Sequence, residues 1–391
     1  MATNFRFKNA DNTTVDFEDY YVRADYFRSG NLWAWGRNTT YGSLGDNTII
    51  NRSSPVQTVT GGTNWKQVSG GGYINSAGVK TDGTLWCWAD NAYGQLGDNT
   101  TVKKSSPVQT IAGGTNWNQV SSGYSTAAIK TDGTLWMWGR NNEGQLGDNT
   151  ATNKSSPIQT IAYGTNWKQV SFKYRTIAAI KTDGTLWMWG RNTEGQIGDN
   201  TTTHRSSPVQ TIAGGTNWKQ VSSGLGLTAA IKTDGTLWCF GGSTYGELGD
   251  NTIIGKSSPV QTVCGGTNWK QVSSGYRQIV AIKTDGTLWT WGRGDNGQLG
   301  NNTIEHKSSP IQTIAYGTNW KQGDCGVYHA AGIKTDGTLW TWGWNAYGQL
   351  GYNTATQRSS PVQTVAGGTN WMKVSCGTLM MAAIQYQDDY Q

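Results

Sequence analysis

Residues 117–167 read WNQVSSGYSTAAIKTDGTLWMWGRNNEGQLGDNTATNKSSPIQTIAYGTNW, and this stretch decides the fold. Its apolar residues show no helical spacing, and four short segments have the composition of β-strands instead. The predicted strands are A near Gln119–Ser121, B at Ala127–Lys130, C at Thr134–Trp138 and D at Pro157–Ile161. Asp132-Gly133 lies between strands B and C and predicts a two-residue hairpin turn of type I′, which requires positive φ.

The same stretch recurs along the chain. The pair Leu-Trp returns every 50 to 53 residues, at Trp33, Trp86, Trp136, Trp187, Trp238, Trp289 and Trp340. A Ser-Ser-Pro triplet accompanies each unit, at Pro55, Pro107, Pro157, Pro208, Pro259, Pro310 and Pro361. Four strands in a repeat of about 50 residues are typical of a propeller blade. The sequence therefore predicts an all-β protein, a seven-bladed β-propeller of four-stranded blades.

The phase of the repeats predicts how the ring closes. The first full unit begins at strand C (Leu32–Trp35), and the last unit ends at strand B (Met381–Ile384). We therefore expect strands from the N- and C-terminal regions to share one blade, which removes an unpaired sheet edge. Tyr26-Phe27 also aligns with strand B, so the sequence leaves the register of this clasp open.

Three segments follow from this division of the chain. Residues 1–28 lie before the repeats and are expected to form an N-terminal hairpin or attachment segment, because Phe5-x-Phe7 and Val15-x-Phe17 alternate around a turn. Residues 29–385 form the propeller, and residues 386–391 form a C-terminal tail. A lone hairpin is marginally stable in water, so we expect the N-terminal segment to dock, either onto the propeller or onto another structural protein.

The units carry Trp-Gly-Arg-Asn (Trp138–Asn141) followed by Gly-Gln-Leu-Gly (Gly94–Gly97 and Gly144–Gly147). These motifs resemble the repeat of the regulator of chromosome condensation family, and the likeness covers residues 30–385. The resemblance implies a seven-bladed propeller and, for eukaryotic members, a chromatin- or GTPase-binding regulator. The family often places a histidine in the A–B loop, where this chain has only His329. Repeats this compact and uniform also resemble bacterial and bacteriophage arrays.

Composition and motifs exclude several classes of protein. The longest apolar run is six residues, 379–384, which is too short for a transmembrane helix, and residues 1–19 have no apolar core that would predict a secretory signal. Five scattered cysteines do not form a disulfide framework. Three histidines and the lack of metal-binding, phosphate-loop or nucleophile motifs predict no enzyme activity, no metal and no cofactor. Basic residues at both ends of the blade disfavour a nucleic-acid-binding stripe.

Two recurrent acidic motifs are interpreted as structural. The aspartate of Thr-Asp-Gly-Thr, such as Asp132, is explained by turn chemistry. The aspartate of Gly-Asp-Asn-Thr, such as Asp148, is interpreted as part of a hydrogen-bonding device that fixes its loop. Asn301 and Tyr352 replace it in two units, which argues against a role required in every blade.

The repeats differ mainly in the A–B and C–D loops. In an up-and-down blade these loops emerge at one end of the propeller, here called the varied face, while the B–C turns and D–A connections form the opposite, uniform face. Relaxed drift of exposed loops is the alternative, but loops on a rigid scaffold are where recognition usually resides. The predicted binding residues are Arg37, Tyr41, Tyr93, Tyr124, Arg140, Tyr174, Arg175, Arg191, Leu227, Tyr245, Tyr276, Arg277, Arg293, Tyr328, His329, Trp344, Tyr347 and Met380.

Twenty of the 21 tryptophans belong to three repeated series, namely the first and the second tryptophan of Leu-Trp-x-Trp and the tryptophan of Asn-Trp, and Trp344 is the one outside them. We expect it to form an aromatic patch with Tyr328, His329 and Tyr347, with capping of its own blade as the alternative. The function predicted from these features is non-enzymatic recognition of a protein or surface glycan, in a phage virion protein such as a tail fibre, spike or capsid decoration. Such a protein is made in the cytosol and becomes virion-associated. A chromatin- or GTPase-binding regulator of the eukaryotic type is the alternative.

Overall fold

A computed structural model of the chain describes residues 6–8, 14–16, 29–71, 75–161, 164–315 and 317–386. These residues form thirty β-strands and no helix, and therefore nothing with the length and apolarity of a helical membrane span. The short strands β1 (Arg6–Lys8) and β2 (Thr14–Asp16) pair antiparallel, as the predicted N-terminal hairpin requires. The remaining twenty-eight strands build seven four-stranded antiparallel blades, which confirms the predicted propeller.

Each blade runs from an innermost strand A to an outermost strand D. The A strands are β5 (Trp65–Gly70), β9 (Trp117–Ser122), β13 (Trp167–Phe172), β17 (Trp218–Ser223), β21 (Trp269–Ser274), β25 (Trp320–Cys325) and β29 (Trp371–Cys376). The B strands are β6 (Asn75–Lys80), β10 (Ser125–Lys130), β14 (Thr176–Lys181), β18 (Leu227–Lys232), β22 (Gln278–Lys283), β26 (His329–Lys334) and β30 (Met380–Tyr386).

The C strands carry the Leu-Trp motif, and the D strands carry Ser-Ser-Pro. The C strands are β3 (Gly30–Gly36), β7 (Leu85–Ala89), β11 (Leu135–Gly139), β15 (Leu186–Gly190), β19 (Leu237–Gly241), β23 (Leu288–Gly292) and β27 (Leu339–Gly343). The D strands are β4 (Arg52–Gln57), β8 (Lys104–Gln109), β12 (Lys154–Gln159), β16 (Arg205–Gln210), β20 (Lys256–Gln261), β24 (Lys307–Gln312) and β28 (Arg358–Gln363). Blades are numbered 1 to 7 in the order of their A strands.

Blade 7 closes the ring as predicted. Strands β29 and β30 come from the C-terminal region, and β3 and β4 come from the N-terminal region. Strand β30 pairs with β3 over seven residues, from Gly30 opposite Tyr386 to Gly36 opposite Met380. This pairing fixes the register that the sequence left open. The competing segment Tyr26-Phe27 lies outside the described residues.

The core lies between the blades. The Asn-Trp tryptophan of one blade packs edge-on against the second Leu-Trp-x-Trp tryptophan of the same blade; Trp117 and Trp138, both fully buried, have ring centroids 6.1 Å apart. The indole of Trp189 also reaches the preceding blade, where its Nε1 donates to the carbonyl of Gln145 over 3.0 Å. A side chain on Gly147 would come within 2.8 Å of that indole nitrogen, which explains the second glycine of Gly-Gln-Leu-Gly.

The B–C turn differs from the predicted type I′ turn. Gly133 has a positive φ of 79°, but Asp132 is not in the left-handed region that type I′ requires of both central residues. Gly133 N instead donates to Lys130 O over 2.9 Å, and Lys130 N donates to Thr134 O over 3.0 Å, which closes a three-residue loop. Asp132 Oδ1 accepts from both the amide and the hydroxyl of Thr134, so the aspartate does stabilise the turn.

Strand D is also displaced from its prediction, since β12 spans Lys154–Gln159 rather than residues 157–161. Gly139 pairs with Lys154 across an irregularity in the ladder, so the residues before Pro157 belong to the strand. Proline is tolerated there because D is an edge strand.

Candidate functional site

The A–B and C–D loops do meet at one end of the propeller. In blades 2 to 7 the last A–B loop residue accepts a backbone hydrogen bond from the first C–D loop residue. Arg191 N donates to Arg175 O over 3.0 Å, and Trp344 N donates to Tyr328 O over 2.8 Å. These bonds use main-chain atoms only, so side chains in both positions can change without loss of the connection.

Four of the eighteen predicted binding residues are buried, which corrects the prediction for them. Leu227 and His329 are fully buried, and Tyr174 and Met380 expose only 3% and 5% of their surface. Leu227, His329 and Met380 are the first residues of B strands, because the A–B loops that precede them are only three residues long. Their side chains therefore pack into the propeller. Burial also lowers the pKa of His329 to about 4, so this histidine is neutral at physiological pH.

Tyr276, Tyr328, Trp344 and Tyr347 form a continuous series, here called the aromatic arc. Their ring centroids lie 6.0, 5.8 and 5.5 Å apart in that order, and the two contacts of Trp344 are edge-on. Tyr174 supports the arc from below, 6.2 Å from Tyr276. All four rings of the arc are half-buried. The predicted patch around Trp344 is therefore formed by Tyr328 and Tyr347, without His329.

Arginines stack on tyrosines along the same face. Arg293 lies over Tyr328 at 5.0 Å, and Arg37 lies over Tyr347 at 5.2 Å. Three further predicted tyrosines have similar contacts: Arg140 lies over Tyr93 and Tyr124, Arg175 over Tyr124, and Arg293 also over Tyr245. Cation–π contacts of this kind keep both partners at the surface in fixed positions.

Several arginines of the varied face are neutralised. Arg175 pairs with Glu143 at 3.0 Å, and Arg293 pairs with Asp295 at 2.7 Å. Arg277 bridges Glu194 at 2.7 Å and Glu247 at 3.5 Å, and so links blades 3, 4 and 5. The remaining three, in the part of the chain that is described, form no ion pair: Arg37, Arg140 and Arg191. Among the predicted arginines, these three are therefore the ones whose charge no described acidic side chain neutralises.

Burial affects the pKa values of both Arg277 and its partner Glu247. It would lower the pKa of Arg277, but the hydrogen bond and charge of Glu194 outweigh it, and the pKa is raised. The carboxyl of Glu247 is fully buried, and burial raises its pKa. Arg277 is therefore held inside the loop framework.

A ring of glutamines lines the central channel. Gln119 Nε2 donates to Val170 O, and Gln119 Oε1 accepts from Val170 N, so one side chain bonds the backbone of the next A strand twice. Six glutamines do this, namely Gln67, Gln119, Gln169, Gln220, Gln271 and Gln322, and Lys373 occupies the seventh position. The recurrent Lys-Gln-Val motif did not by itself indicate this role for its glutamine.

An ion pair crosses the mouth of the channel at the varied face. Lys173, from the A–B loop of blade 3, reaches Asp324 on β25 of blade 6, with Nζ and Oδ1 2.7 Å apart. Lys173 also donates to Ser273 and to the carbonyl of Cys325, and Asp324 accepts from Ser273 and from Cys376 N. Burial would lower the pKa of Lys173, but the charge of Asp324 outweighs it and the pKa is raised. Two departures from the repeat, Lys173 for glycine and Asp324 for serine, were the signal available in the sequence.

The Gly-Asp-Asn-Thr motif fixes the C–D loop, as predicted. Asp148 Oδ1 accepts from Thr150 N and from Asn141 Nδ2, over 3.1 and 2.9 Å. Asn141 is fully buried, and its Oδ1 accepts from Leu146 N. No group of three His, Cys, Asp or Glu in the described ranges could hold a metal ion.

Family models match almost the whole propeller. The model described as RCC1-like domain matches residues 114–390, and the model described as Regulator of chromosome condensation (RCC1) repeat matches residues 29–77 and 82–129. Two solved structures have the same fold. A yeast RCC1 (Prp20) bound to Kap60 superposes with a TM-score of 0.82 at 16% identity, covering 100% of this chain and 95% of that one. Human WBSCR16 gives 0.80 at 21% identity, covering 92% and 100%.

Curated relatives match about half of this chain. It is 32% identical over 203 residues to the ultraviolet-B receptor UVR8 of Arabidopsis thaliana, which covers 51% of this chain and 46% of the receptor. It is 27% identical over 201 residues to human RCC2, which covers 44% of this chain and 38% of that protein. The aligned region therefore spans less than half the length of either relative. Because the RCC1-like domain model alone covers well over half of the residues, the chain belongs to the family of RCC1-like domains.

Proposed function

We propose that this protein is a non-enzymatic recognition module that binds a protein partner through the varied face. The observation that carries the proposal is the aromatic arc. Trp344 and three tyrosines form an unbroken, half-exposed series that arginines hold in place, and tryptophan, tyrosine and arginine are the residues that most often dominate binding energy at interfaces. Rigid rings of this kind lose little conformational entropy on binding.

Binding without catalysis is favoured by the state of the ionisable groups on this face. Glu143, Glu194, Glu247 and Asp295 are engaged by arginines. His329 is buried and neutral. A carboxylate or imidazole that acts as a general acid or base has to be available to its substrate, whereas these carboxylates are held in ion pairs and the imidazole is buried.

A regulator of the eukaryotic type is better supported than a phage virion protein. The relatives named above come from a plant, yeast and human, and none of their names refers to a virion. For yeast Prp20p, binding to Gsp1p and to histones has been described. We therefore place a chromatin- or GTPase-binding regulator first, and a virion protein or a glycan-binding protein second.

The test compares two surface variants. Trp344→Ala removes the centre of the arc, whereas Lys219→Ala removes an exposed lysine that follows the Asn-Trp motif towards the uniform face. The wild type and both variants are immobilised separately and incubated with an extract of the source cells. The bound proteins are then quantified by mass spectrometry. A partner lost with Trp344→Ala alone is then purified, and its affinity is measured by biolayer interferometry.

We expect Trp344→Ala to weaken the affinity about 30-fold, which corresponds to a hot-spot contribution of about 2 kcal/mol. Lys219→Ala should leave the affinity within about twofold of the wild type. Purified core histones serve as the first defined ligand for the regulator alternative. Equal losses in both variants, or a loss of thermal stability in Trp344→Ala with unchanged binding, would contradict the proposal.

A further inference from the structure

A cavity of about 170 Å³ opens on the varied face at the junction of blades 7 and 1. Its wall comes from the C–D loop of blade 7, including Arg37, Tyr41 and Ser43, and from the start of strand β6, with Asn75 and Ser76. Met380 forms part of the floor. The volume corresponds to about five or six water molecules. It is therefore large enough for one short polar side chain with part of its backbone.

The cavity exists because one side chain is missing from the repeat. Ser43 occupies the position of the glutamine in Gly-Gln-Leu-Gly, where the other blades have Gln95, Gln145, Gln196, Glu247, Gln298 and Gln349. In blade 1 the side chain of Gln95 accepts from Tyr93 N and donates to Asp90, and so fills its junction. The backbone of Ser43 is unchanged, since its carbonyl still accepts from the Trp88 indole over 2.9 Å. The difference is therefore confined to the side chain.

Among the described residues, two groups in the wall retain unused bonding capacity. Asn75 exposes 2% of its surface; its Nδ2 donates to Thr126, while its Oδ1 has no hydrogen-bond partner among the described residues. Arg37 is the single cation in the lining and forms no ion pair within the described ranges. A buried acceptor without a partner costs free energy, so a ligand with a suitable donor would be stabilised there.

We propose that this cavity binds an acidic amino-acid residue of a partner chain. Arg37 would hold the side-chain carboxylate, Asn75 Oδ1 would accept from the main-chain N–H of that residue, and the Ser43 hydroxyl would donate to one of the remaining oxygen atoms. The inference deepens the proposed function and rests on it, because the cavity opens on the same face as the aromatic arc. It names an acidic anchor as the chemistry that the partner presents.

The probes are N-acetyl-L-glutamic acid α-amide and N-acetyl-L-glutamine α-amide, titrated by saturation-transfer NMR. They differ only in the side-chain charge. For a ligand of this size we expect the glutamate probe to bind with a dissociation constant on the order of 1 mM, and the glutamine probe at least about tenfold more weakly.

Three variants locate the binding. Ser43→Gln restores the side chain of the other blades and should fill the cavity, and Arg37→Gln removes its cation; each should weaken glutamate binding at least about tenfold. Arg191→Gln removes an unpaired arginine from the same C–D loop position of blade 3, where Gln196 is present. It should keep wild-type affinity. Thermal unfolding of each variant shows that it is folded.

Equal binding of the two probes, unchanged affinity in Ser43→Gln, or an equal loss in Arg191→Gln would overturn the inference. The outcome is separable from that of the proposed function. If the glutamate probe does not bind but Trp344→Ala still weakens the binding of a purified partner, only the proposal of an acidic anchor is wrong. If the probe binds and Trp344→Ala has no effect on partners, the aromatic arc is wrong as the binding surface.

Discussion

The two faces of the propeller are constrained in different ways. On the uniform face each B–C turn is also a junction between blades: the carbonyl of Gly184 accepts from Trp218 N of the next blade over 3.0 Å. A Cβ on Gly184 would lie 2.1 Å from the carbonyl oxygen of Thr216. The turn sequence is therefore dictated by backbone contacts that any side chain would break.

On the varied face the junctions use backbone atoms that leave side chains free, so residues change in coordinated sets. Gly226 and Gly242 occupy positions where other blades have larger residues. The ion pair of Arg277 with Glu194 fills the space that the missing side chains leave. A Cβ on Gly242 would come within 2.0 Å of that carboxylate. Uniformity on one face therefore has a structural cause, and the case for recognition on the other depends on its own contacts.

The strongest test of this contrast is Gly184→Ala. Gly184 has a φ of +80°, in the left-handed region. Alanine would therefore add conformational strain of the backbone to a steric clash at the blade junction. We expect a loss of about 3–4 kcal/mol in the free energy of unfolding, measured by urea denaturation.

Gly265→Ala is the matched control. Gly265 has a φ of +48° on the same face, but a Cβ there would meet nothing within 4 Å. Its substitution should cost only the conformational strain, about 1 kcal/mol. Equal losses in the two variants would show that φ alone, and not the junction, keeps the turn uniform.

The varied face has one rigid constraint, the ion pair of Lys173 with Asp324. Because both groups are largely buried, removing one leaves the other charge unpaired, and we expect Lys173→Met and Asp324→Ser each to cost about 2–3 kcal/mol. The double variant should lose much less than the sum of the two, as urea denaturation would show. Additive losses would mean that the two residues stabilise the channel mouth independently.

Features repeated in every unit could be predicted from the sequence, because sevenfold recurrence separates a structural requirement from coincidence. The blades, the packing tryptophans and the clasp of β3 with β30 follow from the period and phase of the Leu-Trp motif. The burial of Leu227 and His329 could not be predicted in the same way. It depends on where a three-residue loop ends and strand B begins, and element boundaries are the least certain part of a sequence pattern.

The contacts of single blades were harder still to predict. Lys173 and Asp324 lie 151 positions apart and belong to blades 3 and 6, so no local spacing links them. The cavity at Ser43 lies where the glutamine side chain of Gly-Gln-Leu-Gly is absent. The sequence shows this replacement, but its consequence is clear only once that glutamine is known to pack between two blades. Departures from the repeat are the available signal, but their consequences depend on what surrounds them.

The buried His329 on the varied face predicts that the stability of the protein depends on pH. The pKa of His329 is about 4 in the folded protein against an ordinary value of 6.5, and Asp324 and Lys173 are its charged neighbours. The unfolded chain binds a proton on this histidine at higher pH than the folded protein does, so stability should fall as pH decreases from about 6.5 to about 4, by about 2–3 kcal/mol.

His329→Gln, which introduces the residue found at Gln278, should flatten this part of the stability curve. The pKa of Glu247 is raised by burial, and its protonation has the opposite effect. The comparison is therefore between variant and wild type across pH 4–7, by thermal unfolding at each pH. Parallel curves would mean that His329 has the same pKa in the folded protein as in the unfolded chain.

The smallest effect is expected for Arg191→Ala, set against Arg277→Ala. Arg191 is half-exposed, and its Nε donates to Thr193 on the loop surface, so its removal should change the free energy of unfolding by less than about 0.5 kcal/mol. Arg277 neutralises the fully buried Glu247, and its removal should cost about 1–2 kcal/mol. Urea denaturation of both variants separates arginines that hold the loops together from those left free for a partner. If Arg191→Ala proves as costly as Arg277→Ala, the unpaired arginines are also structural, and the varied face offers its aromatic rings alone.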